Sequence, residues 1–272
     1  MSEWHTRLAP AKLNLALVVG PLRPDGKHEV VTVLECLSLG DTVAVRRSTA
    51  TRVVGFADDT LVAGALDGLA RIAEGRPRFE ARIDKRIPVA AGLGGGSSDA
   101  AAALRLANAL LEVPLDDAAL HGLAASLGAD VPFFLREGAQ LGTGDGTTLV
   151  PLALPRDYTV LLALPAGVEK RSTRDVYAGF DDRRGAAGYE ERRAVLLRAV
   201  GEIRDARDLA LLPPNDLATS PLADELVAAG AFRADVTGAG PVVYGLFRDE
   251  AAATSAASAL RGRPRTWIAT PG

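Results

Sequence analysis

One stretch constrains this chain more than any other: residues 88–99 read Pro-Val-Ala-Ala-Gly-Leu-Gly-Gly-Gly-Ser-Ser-Asp. Its glycines remove the side chains that would keep a backbone away from a ligand. Two serines and an aspartate follow, at the point where a helix is predicted to begin. Helical spacing continues with Ala100, Leu104, Ala107 and Leu111, so we expect a helix whose narrow face of small residues packs closely against a sheet.

A glycine-rich turn before a helix is typical of an anion-binding site. Consecutive backbone N–H groups of such a turn point to one side, and the helix adds the positive end of its dipole. A phosphate group fits this arrangement. The glycine spacing differs from that of dinucleotide-binding loops and P-loops, and the Gly-x-Ser-x-Gly pattern of a nucleophile elbow is absent. A flexible hinge is the alternative, but a hinge does not need Ser-Ser-Asp at a helix start.

Composition narrows the class of protein. The 272 residues are 48% hydrophobic, which suits one large domain or two closely joined ones. The net charge is −3 and the basic residues are scattered, so we expect no nucleic-acid partner. We expect no membrane span and no signal peptide, and therefore a cytoplasmic protein, in agreement with the single cysteine, Cys36. The three histidines lie far apart, which argues against a zinc site.

Two charged residues are candidates for chemistry. Lys12, with Asn14, stands at the start of a predicted buried strand; such a lysine is usually solvated, but its apolar neighbours favour a side chain that points into a site. Asp130 follows a glycine that should end a helix and precedes Val-Pro, which resists helix. Asp130 is either a turn residue or a base, and a carboxylate beside an ammonium is suited to activating a hydroxyl group. The sequence does not show whether Lys12 and Asp130 meet.

Elsewhere the pattern gives further elements. It predicts strands at 28–39 and 41–47 that are separated by Gly40, and a loop-rich stretch at 138–149. A helix is predicted at 215–229, with Asn215 or Asp216 as its N-cap. A second glycine-rich loop follows at 236–240, for which an ordinary turn is the simplest interpretation.

Three motifs, in this order along the chain, resemble those of the galactokinase, homoserine kinase, mevalonate kinase and phosphomevalonate kinase (GHMP) superfamily. They are Pro-Ala-Lys-Leu-Asn at 10–14, the glycine loop at 92–98 and Thr-Gly-Ala-Gly at 237–240. Two further pieces, Arg-Pro-Asp-Gly-Lys-His at 23–28 and Leu-Gly-Ala-Asp-Val-Pro at 127–132, resemble the 4-diphosphocytidyl-2-C-methylerythritol kinases of the non-mevalonate isoprenoid pathway. Together these motifs span almost the whole chain.

The resemblance implies an α+β protein with the two-domain GHMP kinase fold and an active site in the interdomain cleft. Residues 1–152 would form the ATP-binding N-terminal domain, and residues 153–272 a ferredoxin-like C-terminal domain. This boundary agrees with the proline-rich stretch at 151–156.

The resemblance also implies ATP-dependent phosphorylation of the 2-hydroxyl of diphosphocytidyl-methylerythritol. Lys12 and Asp130 would form the catalytic pair, in which Asp130 takes the hydroxyl proton and Lys12 keeps the carboxylate ionised. The ATP phosphates, bridged by Mg²⁺, would be held by Pro88, Val89, Ala90, Ala91, Gly92, Leu93, Gly94, Gly95, Gly96, Ser97 and Ser98. The substrate would be contacted by Asn14, His28, Thr173, Thr237 and Gly238. A monomer or homodimer acting on a small molecule is expected.

One position departs from the family pattern. Lys27 stands before His28, where the family usually has a tyrosine. Loss of an aromatic face would weaken stacking on cytosine, whereas the added cation would meet the diphosphate or face solvent. The alternatives are another GHMP kinase, of the homoserine or mevalonate type, and a non-catalytic nucleotide- or sugar-binding regulator on the same fold.

Overall fold

The computed structural model describes residues 3–56, 60–168, 171–262 and 264–272. The strands in these ranges are β1 (His5–Leu22), β2 (His28–Ser48), β3 (Arg52–Val54), β4 (Arg78–Asp84), β5 (Ala139–Gly144), β6 (Thr148–Leu152), β7 (Thr159–Leu164), β8 (Arg233–Val236), β9 (Val243–Phe247) and β10 (Arg265–Ala269). The α-helices are α1 (Thr60–Ile72), α2 (Gly95–Ala109), α3 (Asp117–Leu127), α4 (Thr173–Asp182), α5 (Tyr189–Glu202), α6 (Pro221–Ala228) and α7 (Glu250–Ala259). Short 3-10 helices span Pro132–Leu135 and Ala206–Leu211. None of the helices in these ranges is long and apolar enough to cross a membrane.

The chain forms two compact units that are discontinuous in sequence. The first contains the described residues of Met1–Ala11, Leu39–Val89 and Gly94–Glu137. The second contains those of Lys12–Ser38, Ala90–Leu93 and Gly138–Gly272. Strands β1 and β2 therefore contribute residues to both units. The domain boundary expected between residues 152 and 153 stays a prediction.

The first unit joins a small sheet to a group of helices. Residues 42–48 of β2 pair antiparallel with β4, and β3 pairs parallel with the other edge of β4. Helix α1 buries Val62, Leu66 and Leu69. The alanine-rich face of α2 permits close approach, as expected, and α2 packs against α1 and against β4.

The second unit is built on an antiparallel sheet with strand order β10-β7-β9-β8. Its core joins buried residues of β7 and β9, such as Leu161 and Phe247, to Leu226 of α6 and Ala253 of α7. Residues 30–34 of β2 pair with β5, and β5 pairs with β6. The stretch at 138–149 thus contains a β-hairpin and not the predicted loop.

One buried side chain connects several segments of the second unit. Arg233 of β8 is 8% exposed, and its guanidinium donates to the hydroxyl of Tyr244 and to four backbone carbonyl groups. The carbonyl groups belong to Leu15, Leu209, Leu212 and Pro213. The hydroxyl of Tyr244 also donates to the carbonyl of Leu15, at 3.0 Å. Strand β1, near the start of the chain, is thereby fixed to segments near the end of the chain.

Two predictions about element boundaries are wrong for identifiable reasons. Gly40 does not interrupt a strand, because β2 continues through it; a Cβ at Gly40 would lie 2.8 Å from the carbonyl oxygen of Ala9, so close backbone approach requires the glycine. Asn215 does not cap a helix. Its amide donates to the carbonyls of Val236 and Gly238, and α6 begins six residues later, capped by Ser220.

Candidate functional site

The first unit contributes the C-terminal part of the glycine loop. Gly94, with φ +70°, is the N-cap of α2, and no described side chain caps the N–H groups of this helix end. These N–H groups and the helix dipole are available to an anion, as the sequence predicts. Ser98, in the first turn, is buried, and its Oγ atom has no hydrogen-bond partner within the described part of the chain.

The second unit brings together four of the predicted site residues. The buried ammonium of Lys12, 4% exposed, donates to Asn14 Oδ1 at 2.5 Å. The amide of Asn14 donates to Thr32 Oγ1 at 2.8 Å, and its backbone N–H donates to Thr237 Oγ1 at 3.0 Å. Gly238, with φ +57°, completes the group: a Cβ there would lie 3.2 Å from Asn14 Oδ1 and 3.3 Å from Lys12 Nζ. Lys12 is therefore not the solvated lysine that a strand end usually carries.

The two glycine-rich loops meet in the second unit. A Cβ on Gly92, whose φ is +83°, would lie 2.9 Å from the carbonyl oxygens of both Thr237 and Gly240. Leu93 accepts a hydrogen bond from the backbone N–H of Lys12, at 3.0 Å. The loop at 236–240 is therefore more than an ordinary turn, because it packs directly against the residues around Lys12.

Asp130 occupies the constrained connection that the sequence predicts. Helix α3 ends at the C-cap Gly128, and a 3-10 helix begins at Pro132. The backbone N–H of Val131 donates to the carbonyl of Gly128 at 3.2 Å, which closes the turn around Asp130. The Asp130 side chain is half-buried in the first unit. Its pairing with Lys12, a residue of the second unit, stays a prediction.

His28 lies in a packed cluster against α4. Its Nε2 atom is 2.9 Å from Asp181 Oδ1, and its ring centroid is 4.9 Å from that of Tyr177 and 5.9 Å from that of Phe180. The side chain of His28 is 7% exposed, whereas that of Asp181 is 51% exposed. Asp181, which the sequence analysis missed, is therefore more accessible to a ligand than His28.

Helix α4 presents Thr173, Tyr177 and Asp181 on one face, because residues four apart are neighbours on a helix. The helix begins at Thr173 and is capped by Ser172, whose Oγ accepts from the backbone N–H of Asp175 at 3.1 Å. The predicted substrate residue Thr173 thus belongs to the same helix face that covers His28.

Lys27 forms an ion pair. Its Nζ atom is 2.6 Å from Oδ2 of Asp145, in the turn between β5 and β6. Burial acts to raise the pKa of Asp145, but hydrogen bonds from Lys27 and Thr147 outweigh it and lower this pKa to about 2. Lys27, which stands where the family that the chain resembles usually has a tyrosine, is therefore paired with a carboxylate.

Lys85 lies between two fully buried carboxylates in the first unit. Its Nζ atom is 2.5 Å from Asp41 Oδ2 and 2.7 Å from Asp99 Oδ2. Burial acts to lower the pKa of Lys85, but hydrogen bonds to the two aspartates raise it above its ordinary value. A Cβ on Gly95 would lie 3.2 Å from this ammonium, which therefore sits beside the first residue of α2.

Comparison with known proteins supplies the family context. The models "GHMP kinases N terminal domain" and "GHMP kinases C terminal" match residues 60–138 and 214–265. The first match includes Asp130 and the second includes Thr237, whereas Lys12 and His28 lie outside both. A protein of Rhodococcus jostii (strain RHA1) named 4-diphosphocytidyl-2-C-methyl-D-erythritol kinase is 39% identical over 279 residues, which cover 93% of this chain and 87% of that protein.

Solved structures give the same picture. The crystal structure of a 4-(cytidine 5'-diphospho)-2C-methyl-D-erythritol kinase matches with a TM-score of 0.78 and 32% identity, over 98% of this chain and 99% of that one. The mevalonate kinase of Methanococcus jannaschii matches with a TM-score of 0.73 over 99% of each chain, but at 14% identity. This second likeness shows the fold alone.

Proposed function

The chain belongs to the 4-diphosphocytidyl-2-C-methyl-D-erythritol kinase family of the GHMP kinases. We propose that it uses ATP to phosphorylate the 2-hydroxyl of 4-diphosphocytidyl-2-C-methyl-D-erythritol. The predicted α+β GHMP kinase fold and the assignment as an ATP-dependent kinase of isoprenoid precursor synthesis are confirmed. The observation that carries the specific proposal is the buried group of Lys12, Asn14, Thr237 and Gly238.

We propose the glycine loop as the ATP site. The glycines among residues 88–98 have no side chains that would keep a ligand away from the backbone. The open N–H groups at the start of α2 favour phosphate oxygens. Val89, itself a residue of this loop, has an apolar side chain that is 61% exposed. These features support the eleven loop residues, Pro88 to Ser98, as the nucleotide contacts.

Magnesium fits this site as a partner of the phosphates. No group of three His, Cys, Asp or Glu side chains among the described residues could enclose a metal ion. Mg²⁺ commonly keeps waters and binds substrate phosphates, with few protein ligands. The buried Oγ of Ser98 offers one oxygen at the start of α2. Bound Mg²⁺ would neutralise charge on the phosphates during transfer.

The catalytic step assigns one role to each member of the proposed pair. The Asp130 carboxylate accepts the proton of the substrate 2-hydroxyl as that oxygen bonds to the γ-phosphorus of ATP. The bond between the γ-phosphorus and the bridging oxygen breaks, and ADP leaves with the electron pair. The Lys12 ammonium, held by Asn14 Oδ1, stabilises the negative charge that develops.

The cytidyl end of the substrate is proposed to bind near His28 and α4. His28 is buried beneath Tyr177, so the accessible groups at this end are the Tyr177 ring, the carboxylate of Asp181 and the hydroxyl of Thr173. An aromatic face stacks on a base, and a carboxylate can accept from the exocyclic amino group of cytosine. We further propose domains at 1–152 and 153–272, and a cytoplasmic monomer or homodimer.

A coupled assay of ADP release tests the acceptor. The purified protein is incubated with ATP and Mg²⁺ and, separately, with diphosphocytidyl-methylerythritol, homoserine and mevalonate. We expect turnover only with the first. Turnover with another alcohol alone would favour another GHMP kinase. Nucleotide binding without turnover on any acceptor would favour a non-catalytic regulator.

Asp130→Asn tests the proposed base. The substitution preserves shape and removes the proton acceptor, so we expect kcat to fall about a hundredfold or more, with the KM of ATP nearly unchanged. Asp117→Asn, in the first turn of α3 in the same unit, is the matched control and should leave turnover close to wild type. Near-normal turnover of Asp130→Asn would remove Asp130 from the mechanism.

A further inference from the structure

A cluster of three charged side chains joins the two sides of the glycine loop within the first unit. Before the loop, Asp41 Oδ1 accepts from the backbone N–H groups of Arg86 and Ile87, at 2.5 and 2.8 Å. After the loop, Asp99 lies in α2, one turn beyond Gly95. Lys85 donates to both carboxylates. The cluster therefore connects the end of β4 to the start of α2 through a single ammonium group.

We infer that Lys85 is a positioning residue for ATP, an inference that rests on the proposed function. By bonding to both aspartates, Lys85 fixes the distance between Ile87, which precedes the glycine loop, and Gly95, which is the first residue of α2. The N–H groups of α2 are thereby held in the orientation that the phosphates require. Preorganised donors of this kind lose little entropy when the ligand binds.

The charges of the cluster support positioning over direct phosphate binding. The ammonium of Lys85 faces two carboxylates that are both 0% exposed, so its single positive charge is more than balanced before a phosphate binds. Lys85 thus acts through the aspartates and the backbone, and removing either link should weaken nucleotide binding specifically.

Two isosteric variants test the inference. Asp99→Asn removes the charge that ties Lys85 to α2 and retains the pair with Asp41. Asp41→Asn keeps an oxygen that can accept from Arg86 and Ile87, and weakens the link on the strand side. For each variant that folds we expect the KM of ATP and the Kd of ADP to rise about tenfold. The KM of the acceptor should change less than about twofold.

Asp67→Asn is the matched control. Asp67 also forms an ion pair in the first unit, with Arg78 at 3.3 Å, but both side chains are about half exposed. We expect this variant to keep the KM of ATP. An unchanged KM of ATP in Asp99→Asn and Asp41→Asn, even with a lower melting temperature, would overturn the inference by making the cluster purely structural. So would an equal rise in both KM values. Failure of the wild-type protein to bind ADP would instead overturn the proposed function.

Discussion

Glu35 is a carboxylic acid buried in β2, with 1% of its surface exposed. Burial raises its pKa to about 7, although the charge of Arg156 and the backbone N–H of Cys36 act in the opposite direction. Its Oε2 atom has no hydrogen-bond partner in the described ranges. The folded chain therefore favours the protonated form of this side chain.

This burial predicts a stability that falls as pH rises. The folded pKa of Glu35 lies above the ordinary value of 4.5, so the protonated group stabilises the fold fully below that value, and this contribution is lost as pH rises through about 7. Glu35→Gln should remove the dependence and raise the free energy of unfolding at about pH 8 by up to about 3 kcal/mol. Urea denaturation at about pH 5 and pH 8 measures both effects. Parallel pH profiles of wild type and variant would contradict the prediction.

At the scale of elements, α4 is the helix whose face can be tested directly. Tyr177 covers His28 and is proposed to stack on cytosine. Stacking of a base on an aromatic ring contributes about 1–3 kcal/mol, so Tyr177→Leu should raise the KM of the acceptor at least about fivefold. Tyr177→Phe retains the ring and should keep this KM close to wild type, and neither variant should change the KM of ATP. Equal acceptor KM values for the two variants would exclude stacking at this position.

The sequence predicted an element well where its formation depends on neighbouring residues in the chain. The helix that periodicity predicts after the glycine loop is present as α2. The continuity of β2 through Gly40 and the non-helical backbone at Asn215 were missed, because each depends on a contact with a distant segment. In the sequence, Gly40 resembles a strand break, although it is needed for close approach to another backbone. Asn215 resembles a helix N-cap, although it bonds to a later loop.

The same distinction holds for the candidate site. Lys12, Asn14, Thr237 and Gly238 belong to recognisable motifs, and the structure brings them together. Asp181 was missed because an aspartate near the end of a polar helix looks like a solvated residue, and its partner His28 lies 153 positions away in the sequence. Lys85 was missed for a similar reason: the sequence shows a basic pair before the glycine loop but gives no sign of the two buried aspartates.

At the scale of the whole molecule, the guanidinium of Arg233 predicts a large effect on stability. It has more donors than a lysine ammonium in a planar arrangement, and its partners include four backbone carbonyl groups. Arg233→Lys should leave buried carbonyl groups without partners and lower the free energy of unfolding by about 3 kcal/mol. Arg248→Lys, at an exposed ion pair with Asp249, is the control and should change it by less than about 0.5 kcal/mol. Urea denaturation that fails to separate the two variants would contradict this assignment.

The discontinuous second unit has a consequence for protein synthesis. Residues 12–38 leave the ribosome early. Some of their hydrogen-bond partners, such as Arg233, Thr237 and Tyr244, are translated about 200 residues later. At about 5–20 residues per second, this interval lasts roughly 10–40 s. The strand that carries Lys12 and Asn14 meets these later partners only after that interval. The nascent chain therefore carries Asn14 without the Thr237 hydroxyl that accepts from its backbone N–H for most of the time that it is being made.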